Sequence, residues 1–166
     1  MNTFLTYSQD SSNVASFTFI FFGLNGSPMK SNAEEIVKKK WMIKYDMITG
    51  CLVTEELIKK VSVHNDSVKK QIAKVKGNDW EVKYNNDVTL EEKNLSEMTE
   101  ILNKDPKVIQ KKEKYKGEEA HLSYKFSYDE KAKIYKISFI FNETEIKKLM
   151  EFDFDFEKKN YSIVNS

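Results

Sequence analysis

The clearest secondary-structure pattern of the chain lies in residues 122–163, LSYKFSYDEKAKIYKISFIFNETEIKKLMEFDFDFEKKNYSI. It contains four runs in which every second residue is apolar or aromatic, joined by the short polar links DEKAK, NETEIKK and EKKN. Side chains of a strand alternate between its two faces, and links of this length join antiparallel neighbours. The stretch therefore predicts a four-stranded antiparallel meander with one buried face, formed by Leu122, Tyr124, Phe126, Tyr128, Tyr135, Ile137, Phe139, Phe141, Phe152, Phe154, Phe156, Tyr161 and Ile163.

The opposite face of the third run is acidic. Its carboxylates alternate with the phenylalanines at Glu151, Asp153, Asp155 and Glu157. Calcium sites usually draw their oxygen ligands from a tight loop containing glycine, and this run has no such loop. We expect a solvated face that pairs with Lys136 and Ser138 of the neighbouring strand, and we expect no metal or catalytic residue there.

Upstream of the meander, apolar residues recur at three- and four-residue steps, a period that predicts helices. One such pattern begins at Asn32 and includes Trp41, Tyr45 and Ile48, with Gly50 as its stop signal. The next pattern begins at Thr54 and ends at Gly77, and Asn65 with Asp66 is a candidate break in its middle. A third contains Leu95, Met98 and Leu102, and a fourth begins at Asp105-Pro106 and ends by Gly117.

Two further segments have the pattern of strands. Phe17–Leu24, FTFIFFGL, is the most apolar run of the chain and predicts a buried strand. Trp80, Val82 and Tyr84 alternate with charged residues, which predicts a short strand followed by a turn at Asn85-Asn86-Asp87. Thr89 with Glu92 then has the spacing of a capping box at the start of a helix.

These elements predict the α+β class, with a helical middle packed on a mainly antiparallel sheet. We expect one domain over residues 1–166, with residues 1–15 flexible. The element order over residues 54–166 resembles that of the cone-shaped NTF2-like domains. This resemblance implies a pocket between the curved sheet and the helices, for which the candidate residues are His64, Tyr124, Tyr128 and Tyr135.

Composition restricts the compartment and the partners. The chain has 27 basic residues, all lysine, and a formal net charge of +1. Without arginine it lacks the side chain best suited to base-specific reading and bidentate phosphate binding. Cys51 is the only cysteine, so no internal disulfide is available, and Phe17–Leu24 is far too short to cross a bilayer. We expect a soluble cytoplasmic protein with no membrane association.

The motifs of common enzymes are missing from the sequence. It has no glycine-rich phosphate loop, no dinucleotide fingerprint and no nucleophile elbow, so we expect no cofactor. Glu81-Val82-Lys83 matches the Glu-x-Lys half-motif of metal-dependent nucleases, but this triplet also occurs elsewhere in the chain. His64 and His121 are the only histidines, which excludes a three-histidine zinc site. We expect neither a metal site nor a catalytic residue.

The strongest functional signal is a lysine-rich segment. Residues 104–116 contain six lysines against Asp105 and Glu113. A helix beginning at Pro106 presents three of these lysines together on one side and turns three apolar residues inward. The exposed set is Lys107, Lys111 and Lys114, and the inward set is Val108, Ile109 and Tyr115.

We therefore expect a non-enzymatic binding protein of the immunity, inhibitor or anti-defence type, acting by contact with another macromolecule. Its partner is expected to be another protein that meets Lys107, Lys111 and Lys114. We expect any binding of nucleic acid to consist only of non-specific contacts with its phosphates. The alternative is an NTF2-like domain that binds or hydrolyses a small molecule in the pocket described above.

Overall fold

The structure, a computed structural model, describes residues 16–22, 28–48 and 53–165. The elements in chain order are β1 (Phe17–Phe22), α1 (Pro28–Trp41), β2 (Ile43–Ile48), α2 (Glu55–Lys76), α3 (Trp80–Leu102), α4 (Pro106–Lys114), a 3-10 turn (Glu119–His121), β3 (Leu122–Asp129), β4 (Ile134–Asn142), β5 (Ile146–Asp155) and β6 (Asn160–Asn165). The fold belongs to the α+β class, as predicted.

The predicted meander is present. Strands β3, β4, β5 and β6 pair in sequence order, each antiparallel to the next. The register places Phe154 opposite both Tyr135 and Tyr161, and places Phe152 opposite Ile137. All these residues except Tyr161 are buried, because the alternating pattern puts one face of the sheet into the core.

Helices α1 and α3 share a single core with this face. The buried residues of α1 are Ala33, Ile36 and Val37. Those of α3 recur at three- and four-residue steps, so one stripe of the helix is buried along its whole length. The α3 stripe comprises Trp80, Tyr84, Val88, Glu91, Leu95, Met98 and Leu102.

The helix predicted from Asn32 to Gly50 ends earlier than its apolar spacing indicated. Met42 has a φ of 57°, a left-handed conformation that stops the helix after Trp41. The prediction was wrong for Tyr45 and Ile48, which lie in β2 and pair in parallel with β1. The spacing of Trp41, Tyr45 and Ile48 fits a helix, but Phe17–Phe22 provides a strand partner for this segment.

The strand predicted at Trp80–Tyr84 was also wrong. Trp80 begins α3, and the helix continues through Asn85-Asn86-Asp87 without a turn. Thr89 forms no capping box, since its Oγ1 donates to the backbone oxygen of Asn85 at 2.9 Å, one turn earlier in the helix. Trp80 and Tyr84 also satisfy the four-residue helical period, and burial of that longer stripe outweighs the local alternation.

Helix α2 follows the prediction at its ends and departs from it in the middle. Thr54 Oγ1 accepts the N–H of Leu57, and Gly77 ends the helix with a φ of 95°. No break occurs at Asn65-Asp66. Asn65 instead faces β1, where its side-chain amide exchanges two hydrogen bonds with the backbone of Ile20.

Some of the predictions concern residues outside the described ranges. These are the flexible segment 1–15, Leu24 at the end of the first strand, Gly50 as a stop signal, and Cys51. Among the described residues no helix is both long enough and apolar enough to cross a membrane.

Candidate functional site

Helix α4 is held at its N-terminus by a polar network. Asp105 Oδ1 accepts the backbone N–H of Lys107 at 2.7 Å and that of Val108 at 3.3 Å. Its other oxygen accepts the hydroxyl of Tyr161, on β6, at 2.6 Å. Val108 is fully buried beneath the first turn. Helix α4 is thereby fixed against the meander, which defines the side that it turns to solvent.

A second pair of contacts holds α4 to β3 through Asn103. The Oδ1 atom of Asn103 accepts Nζ of Lys112 at 2.7 Å and the hydroxyl of Tyr124 at 2.8 Å. The ammonium group of Lys112 therefore forms a contact within the protein. The side chains of Lys107, Lys111 and Lys114 make no such internal contact among the described residues.

The network is accompanied by a lowered pKa of Asp105 and a raised pKa of Tyr161. Burial tends to raise the pKa of Asp105, but the hydrogen bonds from Tyr161 and from two backbone N–H groups outweigh burial and hold the pKa below its usual range. Burial, followed by the Asp105 carboxylate, raises the pKa of Tyr161 to about 12. Both shifts favour a charged Asp105 that accepts from a neutral Tyr161.

We expect Asp105→Ala to lower the free energy of unfolding by about 1 kcal/mol at neutral pH, the typical loss for an N-cap. Because the folded pKa of Asp105 is lowered, its contribution is complete above the unfolded pKa and disappears as the pH falls through the folded pKa. The difference between wild type and variant should therefore shrink in acid. Urea denaturation at neutral and acidic pH measures it, with Asp105→Asn as the uncharged control. A difference that is the same at both pH values contradicts this role.

The outer side of α4 and the start of β5 form a lysine groove of about 260 Å³. We define the lysine groove by four side chains: Lys111 and Lys114 from α4, and Lys147 and Lys148 from β5. Tyr115, Leu149 and Met150 also line it. Glu151 is its only acidic residue among those described, and it pairs with Lys148 at 2.6 Å. Within the described ranges, Lys111, Lys114 and Lys147 form no ion pair.

Two of the three lysines predicted to bind a partner line the lysine groove, and the third does not. Lys111 and Lys114 line the lysine groove, while Lys107 is exposed on the same helix outside its lining. Val108 is buried as predicted, but the inward placement of Ile109 was wrong, since Ile109 is 47% exposed. Lys147 and Lys148 were not predicted, because only the fold brings the start of β5 next to α4.

The four predicted pocket residues lie in different surroundings. Tyr124 packs on Phe139 of β4, and its hydroxyl donates to Asn103. Tyr128 and Tyr135 lie side by side, with ring centroids 4.9 Å apart. His64 lies on α2, where its Nε2 is 2.9 Å from the backbone oxygen of Thr18 on β1. The structure thus brings together Tyr128 and Tyr135 only.

Next to this tyrosine pair lies an ion pair between a buried glutamate and a partly solvated lysine, which was not predicted from the sequence. Glu91 is 3% exposed, and its Oε2 is 3.0 Å from Nζ of Lys40, which also lies over the ring of Tyr128. Among the described residues, Oε1 of Glu91 has no hydrogen-bond partner. Burial, and secondarily Glu91, raises the pKa of Tyr135 above its ordinary value. The available signal was the position of Glu91 in phase with the apolar residues of the α3 stripe.

A separate aromatic cavity of about 420 Å³ lies between β1, β2 and α3. We define the aromatic cavity by Phe19, Tyr45, Trp80 and Tyr84. The rings of Phe19 and Trp80 stack, with centroids 6.3 Å apart, and the hydroxyls of Tyr45 and Tyr84 are 3.4 Å apart. Burial raises the pKa of both tyrosines, so both hydroxyls are neutral at physiological pH. The cavity was not predicted, because Tyr45 was assigned to a helix and Trp80 to a strand.

The acidic residues of β5 do not pair with β4 as expected. Asp155 pairs with Lys158 at 2.6 Å and Glu151 with Lys148 at 2.6 Å. Asp153 lies opposite Lys136 in the register of β5 and β4, but the ammonium of Lys136 pairs with Asp129 at 3.5 Å. Glu81 pairs with Lys69 at 3.0 Å from within α3, so the strand geometry required by the Glu-x-Lys half-motif is missing.

His121 precedes β3, with its Nδ1 3.1 Å from the backbone oxygen of Asn142. Across residues 16–22, 28–48 and 53–165, no three His, Cys, Asp or Glu residues are grouped as metal ligands. Comparison of the chain with protein-family models, curated proteins and solved structures finds no match.

Proposed function

We propose that the chain is a non-enzymatic binding protein that contacts an acidic surface of another protein through the lysine groove. The observation that carries this proposal is the convergence of two elements. Lys111 and Lys114 from α4 and Lys147 from β5 line one concave surface, and none of them has an ion-pair partner among the described residues. Three unneutralised charges on one surface attract carboxylates of a partner and disfavour basic surfaces.

An acidic protein fits the groove better than nucleic acid. The net charge of +1 gives no long-range field of the kind that draws proteins to polyanions. The groove has no arginine for bidentate phosphate contacts. Tyr115 is the half-buried aromatic residue of the groove, while Leu149 and Met150 lie buried at its floor.

Within this proposal the chain acts in the cytoplasm as an inhibitor, immunity or anti-defence protein. Such a protein functions by covering a surface of its partner, so it needs no cofactor and no catalytic group. Helix α4 suits this role because Asp105 and Lys112 fix it on the sheet, and binding then requires little reordering of the backbone.

The proposal is tested by capture from an extract of the native host on three immobilised proteins. These are the wild type, the groove variant Lys111→Glu/Lys114→Glu/Lys147→Glu and the control variant Lys59→Glu/Lys70→Glu/Lys74→Glu. The control makes the same change in net charge on exposed positions of α2. We expect a protein retained by the wild type and the control and lost from the groove variant.

Nuclease treatment of the extract separates the two classes of partner. Retention that disappears after this treatment identifies nucleic acid instead of an acidic protein. Equal retention of every captured protein by the wild type and the groove variant contradicts the proposal.

The aromatic cavity supports a second candidate function, binding of a small molecule that has both apolar and polar groups. Its volume of about 420 Å³ lies within the range of ligand pockets. Besides the aromatic walls, its lining offers the paired hydroxyls of Tyr45 and Tyr84 and the charged residues Lys30, Glu34, Lys69 and Glu81. Fluorescence of Trp80 in a Trp41→Phe background tests it against a library of small molecules. A compound that quenches this fluorescence, and that no longer does so after the further change Phe19→Ala/Tyr84→Ala, favours this function. A library without any quenching compound contradicts it.

A further inference from the structure

Among the described residues, the small parallel sheet has one covered edge, that of β1, and one open edge, that of β2. On the β1 edge, Asn65 of α2 accepts the N–H of Ile20 at 2.9 Å and donates to its oxygen at 2.7 Å. His64 contacts the oxygen of Thr18 on the same edge. The side chains of α2 thus satisfy the backbone groups that a third strand would bind. No strand among the described residues pairs with the outer edge of β2.

The direction of the open backbone groups follows from the pairing of β1 with β2. The N–H of Phe17 donates to the oxygen of Met42 at 2.9 Å, and Phe17 lies opposite Ile43. In a parallel ladder this pattern continues in steps of two, so residues 44, 46 and 48 turn their backbone groups toward β1. The N–H and C=O groups of Ile43, Tyr45 and Met47 therefore point to the open edge.

We propose that this edge binds β2 of a second copy of the chain, antiparallel and centred on Tyr45. In that register Tyr45 lies opposite Tyr45 of the second copy, and Ile43 lies opposite Met47. These are the three residues whose backbone groups point outward, so each opposed pair exchanges hydrogen bonds as antiparallel pairing requires. The two small sheets then join into one four-stranded sheet with an isologous, two-fold interface.

Charge selects this register over its neighbours. Lys44 of each copy lies opposite Asp46 of the other, in the pairs whose side chains approach most closely. A shift by one residue on each strand places Lys44 opposite Lys44, or Asp46 opposite Asp46, and like charges directly opposite are unfavourable. Lys44 and Asp46 are exposed, and neither forms an ion pair within the described ranges. The centred register is the one that neutralises both residues.

Sedimentation velocity over a concentration series tests the proposal on the full chain. We expect the wild type to show a reversible monomer–dimer equilibrium. In the centred register, Lys44→Asp places two aspartates opposite each other, and Asp46→Lys places two lysines opposite each other. Each single variant should therefore raise the dimer dissociation constant about tenfold or more. An equimolar mixture of the two single variants should recover the dimer, because every opposed pair is again a lysine and an aspartate.

A backbone variant tests the edge without changing charge. Met47→Pro removes an outward N–H that the pairing with β1 does not use, so it should abolish the dimer and preserve the circular dichroism spectrum. A wild type that is monomeric up to the highest attainable concentration overturns the proposal. Single charge variants that dimerise as the wild type does, or a mixture that stays monomeric, also overturn it.

Discussion

Phe154→Ala is expected to lower the free energy of unfolding by about 3–5 kcal/mol, the usual cost of removing a buried phenylalanine. Phe154 is 0% exposed, and its ring stacks on Tyr161 with centroids 6.0 Å apart. It lies opposite Tyr135 on β4, so its removal leaves a cavity in the middle of the sheet. Rigid neighbours on both sides prevent the surrounding residues from filling that cavity.

Urea denaturation followed by far-ultraviolet circular dichroism measures this loss. Phe156→Ala is the matched control, since Phe156 belongs to the same alternating run but is only partly buried. We expect the control to cost clearly less than Phe154→Ala. Equal losses for the two variants, or a loss for Phe154→Ala below about 1.5 kcal/mol, contradict the assignment of this face to the core.

Lys40→Met is expected to lower the free energy of unfolding by about 2–4 kcal/mol at neutral pH, because it leaves the Glu91 carboxylate buried without its counter-ion. The Glu91 side chain is 4% exposed, while that of Lys40 is 40% exposed and therefore partly solvated. Methionine has a similar length to lysine and packs on Tyr128. The loss in the free energy of unfolding is therefore due mainly to the missing positive charge.

The double variant Lys40→Met/Glu91→Leu is the control for this ion pair. Replacing both members of a buried pair by apolar residues is often nearly neutral, so the double variant should recover most of the stability lost in Lys40→Met. A complete cycle with Glu91→Leu gives the coupling between the two residues. If the two single losses simply add in the double variant, Lys40 and Glu91 are not coupled and the account of this pair is wrong.

The sequence predicted best where the period of the pattern and the stop signals agree. In the meander, period-two alternation coincides with short polar links, and all four strands were predicted. Asp105-Pro106 marked the start of α4, and Thr54 with Gly77 marked the ends of α2. Such signals are local, because a cap or a hairpin link acts through residues that are close in sequence.

The errors occurred where contacts distant in sequence decide the conformation. Trp80 and Tyr84 fit both a strand and a helix, and the choice depended on a buried stripe that continues as far as Leu102. Tyr45 and Ile48 have helical spacing, and their strand conformation depends on pairing with β1 more than twenty residues earlier. No pattern within a short window contains that information, since tertiary packing decides between the two conformations.

Only the part of the lysine groove that lies on one helix was predicted, because the rest depends on contacts between residues distant in sequence. Lys111 and Lys114 share a helix face, which spacing reveals. Lys147 and Lys148 join them only because the meander brings the start of β5 beside α4. Glu91 was missed because a carboxylate in an apolar stripe becomes informative only when the partner from α1 is known.

Association kinetics with the captured partner test whether the lysine groove recognises an acidic protein. Charges on an interface govern the rate of encounter, so Lys111→Glu/Lys114→Glu/Lys147→Glu should slow association about tenfold or more at low salt. High salt should reduce this difference, because it screens exposed charges. The control Lys59→Glu/Lys70→Glu/Lys74→Glu should associate nearly as fast as the wild type. An association rate at low salt that is unchanged in the groove variant contradicts the claim.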